Sequence, residues 1–296
     1  MSELRVGISG WTYGGWRGVF YPPDVTQKRE LEYASRAMNS IEINGTFYSL
    51  QRPSSFQNWY DATPPNFKFA VKGSRFITHM KKLKDVDTAL ANFFASGLLN
   101  LREKLGPVLW QFPPQLAFNE DKFAAFMEML PKTTSDASRL ARKHDERVTG
   151  RAVLKADADR PIRHAFEIRH DSFLDEAFIK LLRKHRAALV FADTAGLWPY
   201  AEDLTADFIY IRLHGASELY TSGYSDDELD WWADRIRAWS AGRQPRDATL
   251  ISTAAPPARA QRDVFVYFDN DRKVRAPFDA MRLADRVIPK RKRKTA

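Results

Sequence analysis

The 296-residue chain contains no cysteine, which excludes disulfides, thiolate metal sites and cysteine nucleophiles. Its 44% apolar content supports a large core, and its length suits one large α/β barrel or two ordinary domains. The net charge is +9, but Lys290, Arg291, Lys292, Arg293 and Lys294 supply five of those charges and leave +4 elsewhere, so charge alone does not make this a nucleic-acid protein.

No apolar run reaches about 18 residues, so no membrane partner is expected. The chain opens almost directly into a strand with no signal-like apolar region, so the expected location is cytoplasmic. Residues 5–9 (RVGIS) are that first strand. A Gly- and aromatic-rich loop follows, closed by Pro22 and Pro23. Leu31, Ala34 and Met38 stripe a helix over 30–38. Residues 40–44 (SIEIN) form strand two, with Ile41 and Ile43 on one face and Glu42 and Asn44 on the other. A short helix near 56–60 precedes strand three at 67–72.

Leu90, Phe94, Gly97, Leu98, Leu101 and Leu105 fall at helical spacing and predict one long helix over 86–105, stopped by Gly106 and Pro107. Strand four is 108–112 and the next helix 120–130. Residues 131–161 are charged and poor in large apolar residues. They are expected to be an inserted excursion with a helix near 136–146. Strand five is 164–169, followed by a helix over 174–185 and strand six over 188–193. Strand seven is 208–214. Ser225 and Glu228 stand at capping-box spacing before a helix over 225–241. The Pro/Ala-rich stretch 242–262 reads as a loop, 264–269 as strand eight and 278–287 as the last helix. Residues 289–296 read as a basic, disordered tail.

Eight strands alternating with helical segments imply parallel strands with helical crossovers, and eight units favour a closed (β/α)8 TIM-type barrel forming one domain over 1–288. Neither GxGxxG after strand one nor GxxxxGK[ST] is present.

Barrel sites lie at the C-terminal ends of the strands. The polar residues there include Ser9, Glu42, Asn44, Lys72, Gln111, Glu167, Arg169, Asp193, Arg212, His214, Asp269 and Asn270. Charges in central strands are costly unless paired, so their recurrence at one end marks either a site or a structural polar plug. The segments GISGWTYGGWRGVFYPP, SIEINGTFYS, FAVKGSRFITH, LGPVLWQFPP, FEIRHDSF, FIYIRLHG and VFVYFDN resemble, in order, the signature segments of the YecE-like family, domain of unknown function 72. The resemblance implies a TIM-type barrel and supplies no reaction.

Three functional expectations follow. The first is an enzyme acting on a small anionic, phosphorylated sugar- or nucleotide-like substrate. Glu42, Glu167, Asp193 and His214 would carry the acid–base chemistry, with Glu167 or Glu42 as base and His214 as acid. Arg169 and Arg212 would clamp the anion, and Trp11, Asn44, Lys72, Gln111 and Asn270 would bind the substrate. No cofactor is expected on this reading. The second is a divalent-metal isomerase or phosphodiesterase using Glu42, Glu167, Asp193, His214 and Asp269 as ligands. Arg169 and Arg212, each beside a would-be ligand, and the lack of HxH or HExxH count against it. The third is a non-catalytic barrel that binds nucleic acid through the basic tail. Ser9 in GISGW only superficially matches a GxSxG nucleophile.

Overall fold

The computed structural model describes residues 2–289. Eight parallel strands close into a barrel in sequential order. They are β1 (Leu4–Ser9), β2 (Ser40–Ile43), β3 (Lys68–Lys72), β4 (Leu105–Gln111), β5 (His164–Glu167), β6 (Ala188–Asp193), β7 (Phe208–Leu213) and β8 (Asp263–Phe268). The helices are α1 (Glu30–Ala37), α2 (Gly45–Tyr48), α3 (Pro53–Ala62), α4 (Asp87–Ala95), α5 (Glu120–Met129), α6 (Thr134–Ala141), α7 (Glu176–His185), α8 (Asp226–Ser240) and α9 (Ala276–Val287). The expected (β/α)8 barrel is therefore the fold. Among the described residues no helix is long and apolar enough to cross a membrane.

The two-residue period of a strand sorts each one into two faces. Outward residues such as Ile8, Ile41, Val71, Trp110, Phe166 and Ile211 pack under the helices in one continuous core. Inward residues such as Ala70, Leu109, Ala165, Val190, Phe265 and Tyr267 fill the barrel in a second cluster. Fully burying one such large side chain stabilises the fold by about 1.5–3 kcal/mol.

Three elements differ from the sequence reading. The long helix expected over 86–105 stops at Ala95, and tighter turns run through Leu98–Lys104. The break is Gly97, at φ +122°. Strand four begins at Leu105, so Gly106 and Pro107 lie inside it. The ladder skips there, pairing Phe69 with Leu105 and then Val71 with Val108. A bulge of this kind accommodates a proline that has no N–H to give. The helix in the 131–161 excursion is Thr134–Ala141, earlier than expected, because Thr133 and Asp136 form a capping box. The excursion is tied to α4: the Val153 N–H donates to the Ala95 carbonyl at 2.8 Å, and Asn92 and Asp145 bond reciprocally.

Among the described residues no helix joins β6 to β7. The 242–262 loop covers that side instead. Asp203 accepts from the Ile251 and Ser252 N–H groups, and buried Arg262 donates to the carbonyls of Ala206, Gly242 and Pro257.

Gly97 gives a direct test. A Cβ there would sit 2.6 Å from the Pro53 Cα, and the backbone angle is one that L side chains rarely adopt. Gly97→Ala is expected to cost about 1–3 kcal/mol in urea unfolding. An unchanged midpoint would show that the helix break does not depend on glycine.

Candidate functional site

Inward parity puts Ser9, Glu42, Glu167, Arg212, His214 and Asp269 on the barrel axis near the C-terminal end. Arg212 is fully buried and lies at their centre. Its Nε and Nη2 donate to Glu42 at 3.1 and 2.9 Å, and its Nη1 donates to Glu167 at 2.7 Å. Nη2 also reaches Asp269 Oδ2 at 2.9 Å and Ser9 Oγ at 3.1 Å. Glu42 accepts further from the Ser9 hydroxyl and from Tyr210 OH at 2.6 Å. Glu167 accepts from Gln111 at 2.8 Å and Arg169 at 2.9 Å.

Burial alone would raise the Glu167 carboxyl, but Arg212 and Arg169 together hold it well below the usual range. Asp269 is held low in the same way, by Arg212 and His214 against its burial. Burial and Arg212 push the His214 imidazole down, so it is neutral at pH 7. Its Nδ1 lies 3.2 Å from Asp269 Oδ2 and its Nε2 3.2 Å from Arg212 Nη1.

Above this network opens a cavity of about 810 Å³. Lys72, Gln111, Arg169 and Asp269 contribute from the strands or their ends. Arg75, His79, Tyr220, Asp271 and Arg272 come from the loops that follow. Its cations are Lys72, Arg75, Arg169 and Arg272, and its carboxylates are Asp269 and Asp271. Asn44 presents a buried Oδ1 with no hydrogen-bond partner, while its Nδ2 donates to Ser9 Oγ at 2.8 Å. His79 is carried on a single wide turn, Phe76–Met80, in which the Lys81 N–H reaches back to the Phe76 carbonyl. Such turns recur at functional sites. Burial, with Arg169 and Lys72, lowers the His79 imidazole to about 4. Burial and Asp269 raise the Asp271 carboxyl to about 6. Burial and Arg212 lower the Lys72 amine to about 8.

The expected site residues divide into three groups. Asn44, Lys72, Gln111 and Arg169 line the cavity. Glu42, Glu167, Arg212 and His214 form its floor; all four are fully buried and none lines the cavity. Arg212 is therefore not placed to clamp a ligand, because its donors are spent on Glu42, Glu167, Asp269 and Ser9. Asp193, Asn270 and Trp11 are elsewhere. Asp193 shares the outward parity of Leu189 and Phe191, accepts from Tyr224 OH at 2.9 Å, and lines a separate hollow with Trp198 and Trp231. Asn270, one residue past inward Asp269, faces out and donates to Ser222 and Asp279. Trp11 packs edge-on against Trp59, with ring centroids 5.4 Å apart.

The five residues considered as metal ligands are not assembled into a metal site. Asp193 is on the other face, and the Arg212 guanidinium fills the space between the remaining carboxylates. Among the described residues no group of three His, Asp or Glu is arranged to hold a metal ion. The proposed nucleic-acid anchor, Lys290–Lys294, lies outside the described residues. The sequence reading missed Arg75, His79, Tyr220, Asp271 and Arg272 as cavity residues. All are on loops, where no periodicity marks a direction.

A family model described as a protein of unknown function, DUF72, matches residues 5–296. UPF0759 protein YunF of Bacillus subtilis is 27% identical over 116 residues, 38% of this chain and 40% of that protein. UPF0759 protein YecE of Escherichia coli K12 is 26% identical over 110 residues, 37% of this chain and 38% of that protein. These alignments span about two fifths of the length of each relative. The crystal structure of a DUF72 family protein from Thermotoga maritima superposes with a TM-score of 0.71 at 25% identity, covering 96% of this chain and 98% of that one. A DUF72 family protein from Enterococcus faecalis gives 0.67 at 15% identity, covering 97% and 99%, which supports the fold alone.

The central cage makes a stability prediction. Arg212→Met leaves Glu42, Glu167 and Asp269 buried without their shared counter-ion, at a cost of about 3–5 kcal/mol at pH 7.5. In the parent, Glu167 and Asp269 titrate below their unfolded values. Their contribution is present at neutral pH and is lost as pH falls through the folded values. In the variant the same carboxyls titrate high, so protonation relieves it and the deficit narrows as pH falls to 5. Urea midpoints at the two pH values measure this, and a deficit that does not change with pH would count against the cage.

Proposed function

The chain belongs to the DUF72 family, and within that barrel we propose that the C-terminal mouth binds a small anionic, phosphate- or carboxylate-bearing substrate and carries out proton-transfer chemistry on it. The observation that carries this reading is the charge balance of the cavity wall: four cations against two carboxylates. Arg75 and Arg272 are exposed at the rim. Arg169 donates to Glu167 through Nε, while its guanidinium stacks 3.6 Å over the Trp198 ring. Its Nη2 also lies 2.8 Å from Glu167 Oε1 and donates to Tyr220 OH at 3.4 Å, so the stacked guanidinium is fixed in place with Nη1 left to meet an oxyanion.

The acid–base roles move from the floor to the wall on this reading. Glu42 and Glu167 have every oxygen hydrogen-bonded and no face on the cavity, so they serve as positioning residues. Asp271, with a carboxyl near 6, and Lys72, with an amine near 8, both exchange protons close to neutral pH and both line the cavity. His79 is neutral at pH 7 and offers a hydrogen bond without charge. The divalent-metal reading has less support, because Arg212 already supplies the positive charge its carboxylates would need.

The test is a thermal-shift and calorimetric titration with inorganic phosphate, pyrophosphate and a hexose phosphate. At least one is expected to stabilise the parent. Arg75→Ala combined with Arg272→Ala is expected to weaken that ligand about tenfold, or about 1.4 kcal/mol, without lowering the Tm of the free protein. No stabilisation by any of the three, or an affinity indifferent to both substitutions, would remove the anion-binding assignment.

A further inference from the structure

The two buried lysines among the described residues are treated very differently. Lys104 is 3% exposed and spends its ammonium on the Tyr60 and Thr63 carbonyls and the Thr63 hydroxyl, at 2.6, 2.7 and 3.1 Å. Lys72 is 7% exposed and makes no side-chain hydrogen bond, nor does any carboxylate among the described residues lie within 4 Å of its Nζ. Its near neighbour is the Phe47 ring, 4.4 Å from Nζ. Burying an ammonium without donors' partners is expensive, so such an amine is retained where it has another task. Lys72 stands at the end of β3 and lines the mouth cavity. The floor carboxylates that would otherwise hold it are already engaged by Arg212, Arg169, Ser9 and Tyr210.

We infer that Lys72 is the covalent nucleophile of the mouth, and that the substrate is an anionic aldehyde or ketone which it captures as an imine. This rests on the anion-binding reading of the cavity and narrows its substrate class. The lone pair of the neutral amine attacks the carbonyl carbon, and the C=O π pair moves to oxygen, which takes the proton that the nitrogen gives up. The resulting carbinolamine loses its hydroxyl as water after a second protonation. Nitrogen is left as a protonated C=N, and no oxidant or reductant is consumed. Burial keeps a usable fraction of the amine neutral near pH 7–8. Asp271 is the acid on the same wall, and Arg75, Arg169 and Arg272 hold the anionic group away from the reacting carbon. Ser9, the other hydroxyl at the end of β1, is committed to Glu42 and does not compete for the role.

The experiment incubates the full chain with pyruvate and, separately, with dihydroxyacetone phosphate, reduces with cyanoborohydride, and maps modified lysines by peptide mass spectrometry. Modification is expected at Lys72 with at least one of the two, about tenfold above any other lysine, and suppressed by excess inorganic phosphate. Lys72→Arg keeps the charge and should fold, give no adduct, and still be stabilised by phosphate. Modification spread evenly over surface lysines, or an unmodified Lys72 in a protein that phosphate still stabilises, overturns the nucleophile and leaves the anion site standing. A Lys72 adduct indifferent to phosphate and to Arg75→Ala supports the nucleophile and removes the anion site.

Discussion

One guanidinium holds the top of the barrel together. Arg212 on β7 reaches Ser9 on β1, Glu42 on β2, Glu167 on β5 and Asp269 just beyond β8. No other side chain has five donors in one rigid plane, and a lysine could not bridge so many strands at once. Three carboxylates around one arginine would leave an excess of negative charge in a low-dielectric space. Arg169 and Lys72 offset it, the first by contact and the second at longer range. Tyr210 and Gln111 add a second, uncharged donor to the Glu42 and Glu167 oxygens that Arg212 and Arg169 also reach. Burial of so many charges is tolerable only because nearly every lone pair has a donor.

That saturation determines what the cavity above can do. Because the floor is internally satisfied, it presents little unspent charge upward. The polar groups left for a ligand are those the cage does not use: the Lys72 amine, the Nη1 of Arg169, the Asn44 carbonyl oxygen and the loop residues Arg75, Asp271 and Arg272. The floor therefore acts on a ligand indirectly. It fixes the strand ends from which the wall residues project, and the positive field of Arg212 makes the Lys72 amine easier to deprotonate.

Most of the barrel was legible because strand parity is a local signal. Residues 163–169 and 208–214 alternate so regularly that Glu167, Arg169, Arg212 and His214 could be turned inward from sequence alone. The misplacements come from the same rule applied without its phase. Asp193 ends β6 on the face of Leu189 and Phe191, and Asn270 is one step beyond inward Asp269. Both were grouped with the site because they are polar and near a strand end. The broken helix at Gly97 was hidden because apolar residues keep helical spacing across a backbone turn that only glycine takes readily. The status of Arg212 was not legible at all. A sequence can say that a charge points inward, but whether its donors meet a ligand or three carboxylates depends on register between strands far apart in the chain.

The opposite end of the barrel is a useful control on reading charge as function. A second basic hollow, of about 780 Å³, opens there with Lys68, Arg102, Arg160, Arg163 and Lys184 on its wall. Its innermost arginine is fully engaged: Arg163 bonds Asp263 at 2.7 Å and Asp207 at 3.2 Å, and lies over the Phe208 ring. Lys68 donates to the Glu103 carbonyl at 2.7 Å. Counting cations alone would favour this hollow over the mouth. Burial separates the two: the unpaired cations of that hollow, Arg102, Lys132 and Arg186, are exposed, whereas Lys72 at the mouth is buried with no ion pair among the described residues. Residues at the N-terminal face of such barrels serve stability, and here the pairing pattern gives the physical reason. A buried cation that has already been neutralised holds a fold together, whereas one left unpaired at the edge of a cavity is available to something that arrives from outside.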